Sequence, residues 1–121
     1  MDNLINLTKD NYDAVVSRDG IVLVDCWASW CPACKTFAPI FEAAAGRHPQ
    51  HIFAKLDTQQ EKDLTASLGV THIPALILYR DGLALYHEAG SPAADGLQEI
   101  IAQAEGLDMS EVRRHLASQP E

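Results

Sequence analysis

The chain has 121 residues, 47% of them hydrophobic and 21% charged, with a formal net charge of −8. That size makes one domain with enough core to fold without a disulfide or metal staple. The basic residues are scattered, with Arg113-Arg114 the one adjacent pair, so no basic footprint exists for nucleic acid or an anionic membrane surface. No run reaches the ~18 apolar residues of a membrane span. The first six residues lack the basic and apolar regions of a secretory signal, so the expected compartment is the cytoplasm. Thiols stay reduced there, and three cysteines, an odd count, argue against a disulfide framework.

Residues 4–7 read as a short apolar edge strand. Thr8 is placed to cap a helix over 9–17, in which Tyr12, Val15 and Val16 share a face. Asp19-Gly20 marks a turn. Residues 21–27 are β-branched and apolar on both faces, the pattern of a central strand covered by helices on each side. A helix follows from 31 to 47 with an apolar stripe of Phe37, Ile40, Phe41, Ala44 and Ala45; Pro39 inside it predicts a kink. Residues 52–57 form the next strand. A helix from 58 or 59 to 68 ends on Gly69. After a loop, Pro74 opens a strand over 75–79, which Arg80-Asp81-Gly82-Leu83 joins by a tight hairpin to 83–88. A helix over 93–105 ends at Gly106. Asp108-Met109-Ser110-Glu111 looks like a capping box for a last short helix to 117, with 118–121 expected to fray. Right-handed crossovers make the first three strands parallel, and the hairpin makes the last two antiparallel. The expected fold class is α/β, a mixed five-stranded sheet flanked by helices on both faces. Residues 1–106 form the domain, and 107–121 a short helical extension of it.

The chemistry lies in Trp30-Cys31-Pro32-Ala33-Cys34-Lys35. Cys31 falls at a helix N-terminus, where unpaired N–H groups and the helix dipole favour a thiolate. Pro32 fits the first helical position, where its missing N–H costs nothing. Cys34 stands one turn on, placed to displace a mixed disulfide formed at Cys31. A structural zinc site competes for the same cysteines. Cys31-x2-Cys34-x13-His48-x2-His51 approaches finger spacing, although the histidines are closer together than usual. Asp25 interrupts an apolar strand; buried, it favours its neutral form and can exchange a proton near neutrality. Lys55 alternates with apolar neighbours and is in reach of it. Cys26 reads as a small buried hydrophobe, and His72 as a loop residue that either tunes the dithiol or is solvated.

Val24-Asp25-Cys26-Trp27-Ala28-Ser29-Trp30-Cys31, Ala38-Pro39, Ala54-Lys55-Leu56-Asp57, Ile73-Pro74 and Gly90 together resemble the thioredoxin family, over about residues 7–104. The resemblance implies the thioredoxin fold and a redox-active disulfide between Cys31, the exposed nucleophile, and Cys34, the buried resolving thiol. It implies that Asp25 lies beneath them, paired with Lys55, and moves protons for Cys34. Ile73-Pro74 would be a cis peptide against the dithiol. Trp27 and Trp30 would flank the site, and the substrate surface would comprise Trp30, Pro32, Ala33, Ile73, Pro74 and Gly90. The activity implied is protein-disulfide reduction by a monomer without a bound cofactor or metal. Its partners would be proteins with accessible disulfides and a flavoprotein thioredoxin reductase. Pro32-Ala33 departs from the family's usual Gly-Pro and bears on the potential. Two alternatives stay open, a more oxidising disulfide oxidase or isomerase and a non-catalytic partner-binding subunit.

Overall fold

The computed structural model describes residues 3–118. Among them the elements run β1 (Leu4–Asn6), α1 (Tyr12–Val16), β2 (Ile21–Trp27), α2 (Pro32–Arg47), β3 (Ile52–Asp57), α3 (Lys62–Ser67), β4 (Ala75–Arg80), β5 (Leu83–Ala89), α4 (Ala94–Glu105) and α5 (Met109–Ser118). The strands form one sheet in the order β1-β3-β2-β4-β5. β1, β3 and β2 are parallel, β4 is antiparallel to β2, and β5 is antiparallel to β4. The mixed sheet expected from the order of elements is borne out.

The pattern of β2 explains its central place. Ile21 and Leu23 face α2 and α4, where they pack with Phe37, Phe41, Phe53, Leu97 and Ile101. Val22, Val24 and Cys26 face the other way, against Val16, Leu64 and Tyr79. Only Trp27, at the end of the strand, is not fully buried. The hairpin after β4 turns through Asp81 and Gly82 at φ 53° and 83°. Two residues with positive φ match the twist of the flanking strands, and glycine takes the second position without strain.

Helix starts differ from expectation for local reasons. Thr8 N–H donates to Asn11 Oδ1 at 2.7 Å and Asn11 N–H to Thr8 Oγ1 at 3.3 Å. That closed turn delays α1 until Tyr12. Likewise the Asp57 carboxylate accepts from Gln59 N–H and Gln60 N–H at 2.9 and 3.2 Å, and α3 begins only at Lys62. Its end follows the glycine rule: Gly69 N–H bonds Ala66 O at 3.0 Å and Val70 N–H bonds Thr65 O at 3.2 Å, a Schellman closure. α2 continues as one helix through Pro39. Asp108 Oδ1 caps α5, accepting from Ser110 N–H and Glu111 N–H at 3.0 and 3.3 Å. The expected fraying falls outside the described residues, apart from Ser118, which closes α5.

Candidate active site

At the carboxyl end of β2 the chain turns through Ala28-Ser29-Trp30 into α2, with Cys31 as the helix N-cap and Pro32 at the first helical position. Cys31 and Cys34 are joined as a disulfide, their Cα atoms 5.2 Å apart. Cys34 N–H, one of the free amides of the helix start, donates to Cys31 Sγ at 3.2 Å. When the disulfide opens, that donor and the dipole behind it stabilise negative charge on Cys31 rather than on Cys34. The expected contrast in exposure is absent from this oxidised form, where Cys31 is 4% and Cys34 3% exposed. Cys31 and Cys34 cluster with Ala28, and Trp27 and Ile73 pack against that cluster. The two thiols are distinguished by their place on the helix, not by their accessible surface.

Ile73-Pro74 is a cis peptide, with Pro74 buried and Ile73 half-buried against the dithiol. Pro74 O accepts a hydrogen bond from Gly90 N–H at 2.6 Å, so the end of β5 is tied to the same loop. Gly90 has φ 94°, a conformation that favours glycine, although a Cβ there would meet nothing within 4 Å. Trp30 stands 63% exposed beside the cysteines. Pro32 and Ala33 are exposed on the first turn of α2. The surface around the dithiol is thus largely apolar and open. His72 is exposed and bonds Thr71 Oγ1 at 3.0 Å.

Beside Cys34 lies a cavity of about 260 Å³ lined by Asp25, Trp27, Cys34, Ala38 and Lys55, among others. Asp25 comes from the centre of β2, in register with Lys55 on β3. Both of its carboxyl oxygens are buried without a hydrogen-bond partner in the protein. Burial pushes its pKa up to about 7; the Lys55 charge pulls the other way, and Glu42 adds to the rise. The expected pairing of Asp25 with Lys55 gives way to another. Lys55 Nζ lies 3.2 Å from Glu42 Oε2 and 5.5 Å from the centre of the Trp27 ring. Glu42 is more exposed, so a pair there costs less desolvation than one with buried Asp25. Sequence reasoning missed Glu42. Its signal was the spacing Cys34, Ala38, Glu42, a stripe of i, i+4, i+8 along α2. Cys26 points to the opposite side of the sheet and is fully buried. Burial, then the charge of Asp25, pushes its thiol up to about 12, which leaves it inert as a nucleophile.

The zinc alternative is overturned by the same helix. Cys31 and Cys34 begin α2, whereas His48 caps its far end, and sixteen residues at 1.5 Å each separate them by roughly 24 Å. His51 sits with His48, their rings 5.7 Å apart, at a distance from the sulfurs that no single ion bridges.

A dithiol at a helix start, a cis-proline loop against it and a buried acid below define a thiol–disulfide oxidoreductase. The comparisons with known proteins agree on the lineage. The profile of the thioredoxin family matches residues 3–103, and the chain belongs to that family. It is 39% identical over 119 residues to putative thioredoxin 2 of Streptomyces coelicolor, covering 98% of this chain and 89% of that one. Against thioredoxin-1 of Saccharomyces cerevisiae it is 33% identical over 97 residues, covering 80% and 94%. Among solved structures, a mutant thioredoxin from Halobacterium salinarum superposes with a TM-score of 0.80 at 28% identity, over 88% of this chain and 95% of that one. Plasmodium falciparum thioredoxin gives 0.74 at 25% identity, over 82% and 96%. No helix among the described residues is long and apolar enough to cross a membrane.

Proposed function

We propose that the chain is a protein-disulfide reductase in which Cys31 attacks and Cys34 resolves. The observation that carries this assignment is the Cys34 N–H donated to Cys31 Sγ at 3.2 Å from the start of α2. The Cys31 thiolate attacks one sulfur of a substrate disulfide; a Cys31–substrate bond forms, and the other substrate sulfur leaves as a thiolate. Cys34 then gives up its proton and attacks Cys31 Sγ, which releases the second substrate thiolate and closes Cys31–Cys34. Two electrons pass from the dithiol to the substrate. Asp25 shares the cavity with Cys34, and a carboxyl with a pKa of about 7 is suited to take that proton and return it. Lys55, held by Glu42, sets the field at Asp25.

Trp30, Pro32, Ala33, Ile73, Pro74 and Gly90 are the proposed substrate surface, a mostly apolar rim that fits an extended segment around a disulfide. One chain is the proposed working unit. A flavoprotein thioredoxin reductase is the proposed source of electrons, and a reducing compartment, the cytoplasm, the proposed location, one suited to a dithiol that must be reduced to act. Residues 107–121 are proposed as an extension of the 1–106 domain rather than a separate unit. The test is insulin reduction with NADPH and a thioredoxin reductase. Cys31→Ser is expected to lower the rate by about 100-fold or more, and Cys34→Ser to accumulate a stable Cys31–insulin mixed disulfide. Full activity in Cys31→Ser contradicts the assignment. Full complementation in cells by the double Ser variant identifies a non-catalytic binding subunit instead.

A further inference from the structure

At the end of the sheet opposite the dithiol, the sequence His48-Pro49-Gln50-His51 forms a turn between α2 and β3. His51 N–H bonds His48 O at 3.1 Å, and proline suits the second position of such a turn. The turn itself therefore brings the two imidazoles to one side. Asn3 fixes it in place, its Nδ2 donating to Ala45 O at 2.8 Å and to His48 O at 3.0 Å. Both rings are nearly buried, and Glu105, from the last turn of α4, reaches over them with an exposed edge. One donor atom from each of the three residues lies within 4.8 Å of the others.

We propose that His48, His51 and Glu105 form a binding site for a divalent transition-metal cation such as zinc. The layout of the ligand atoms fits a cation. Gln98 Oε1 lies 2.9 Å from His48 Nε2, which leaves Nδ1 as the nitrogen turned toward the cluster. Nδ1 faces Glu105 Oε2 at 4.0 Å, with room between the two atoms. A hydrogen bond to the second nitrogen is also what orients histidine as a metal ligand. His51 Nε2 lies 2.8 Å from the same Oε2, so both ring nitrogens that face the cluster converge on one carboxylate oxygen. Tetrahedral zinc with bonds of about 2.0–2.1 Å needs ligand atoms about 3.4 Å apart and two imidazole centres about 5 Å apart. The observed 2.8 and 4.0 Å separations bracket the first, and the 5.7 Å between ring centres is close to the second. Two imidazoles and one carboxylate select zinc, copper, nickel or cobalt over magnesium and calcium. Three protein ligands leave a fourth position to water on the exposed side. The bound ion clamps α4 to the turn after α2.

The test uses the oxidised protein, in which the closed Cys31–Cys34 disulfide removes the competing dithiol and the one free thiol, Cys26, is buried. Zn²⁺ alone is titrated against a chromophoric chelator, with thermal unfolding in parallel. The expected result is one saturable equivalent and a higher Tm with zinc. Glu105→Gln, at an exposed position, weakens binding by at least about tenfold; His51→Gln does the same, and His72→Gln/His87→Gln leaves it unchanged. Absence of saturable binding below about 1 mM, equal affinity in Glu105→Gln, or loss of binding in the His72/His87 variant overturns the site.

Discussion

A carboxyl whose two oxygens find no donor in the protein holds its proton far above the usual carboxylate range, and Asp25 is such a group. Its folded pKa of about 7 lies above the ordinary 3.8. From about pH 4 to 7 the folded protein keeps a proton that the unfolded chain releases, so stability falls as pH rises through that window and is level above it. Asp25→Asn removes the effect. Its gain in stability over the wild type is expected to grow across the window to at most about 4 kcal/mol. Urea unfolding at about pH 4.5 and about pH 8 checks this; an equal gain at both contradicts it. Asp25 was legible in the sequence because a carboxylate stands out in an apolar strand. The partner of Lys55 was not, because a strand pattern shows that two charges lie in register but not which neighbour costs less to pair with. The answer depended on the depth of Glu42, a residue on another element.

Elements were legible where one residue type dictates the backbone. Asp81-Gly82 predicted the hairpin, and the positive φ at both positions is the reason. Gly82→Ala is expected to cost about 1 kcal/mol or somewhat more, since Ala tolerates φ 83° poorly and its Cβ would lie 3.6 Å from the Ser17 backbone. An unchanged urea midpoint contradicts that. Elements were less legible where side chains compete with the helix. Thr8, Asn11 and Asp57 bond nearby backbone amides in turns, so α1 and α3 start later than their apolar periodicity suggests. The kink expected at Pro39 concerned one missing hydrogen bond, and α2 passes through that position without ending.

The arrangement of the whole molecule separates two ends. β2 carries its last residues to the dithiol, while β4 carries Arg80 and the hairpin turn to the opposite end. There Arg80 donates to the carbonyls of Ala104, Glu105 and Leu107, Arg113 lies 3.1 Å from Asp81, and Met109 is buried. Truncation after Gly106 is therefore expected to lower Tm while leaving the rate of insulin reduction within about twofold, because additivity holds for distant sites; a large loss of rate at a temperature where the truncated chain is folded contradicts this. The finger-like Cys and His spacing misled for the same reason. Linear spacing carries no sign of a sixteen-residue helix holding the two pairs apart, nor of Glu105, brought in from more than fifty positions along the chain.

Whether this dithiol gives or takes electrons depends on how strongly the helix start favours the Cys31 thiolate with Pro32 and Ala33 between the cysteines. The direct measurement is the reduction potential, read from equilibrium with reduced and oxidised glutathione. A reductase requires a value below about −200 mV, in the direction of the −270 mV or so that thioredoxin itself shows. A value well above about −200 mV, toward the roughly −120 mV of a strong periplasmic oxidant, would mean that electrons flow the other way and contradict the proposed function.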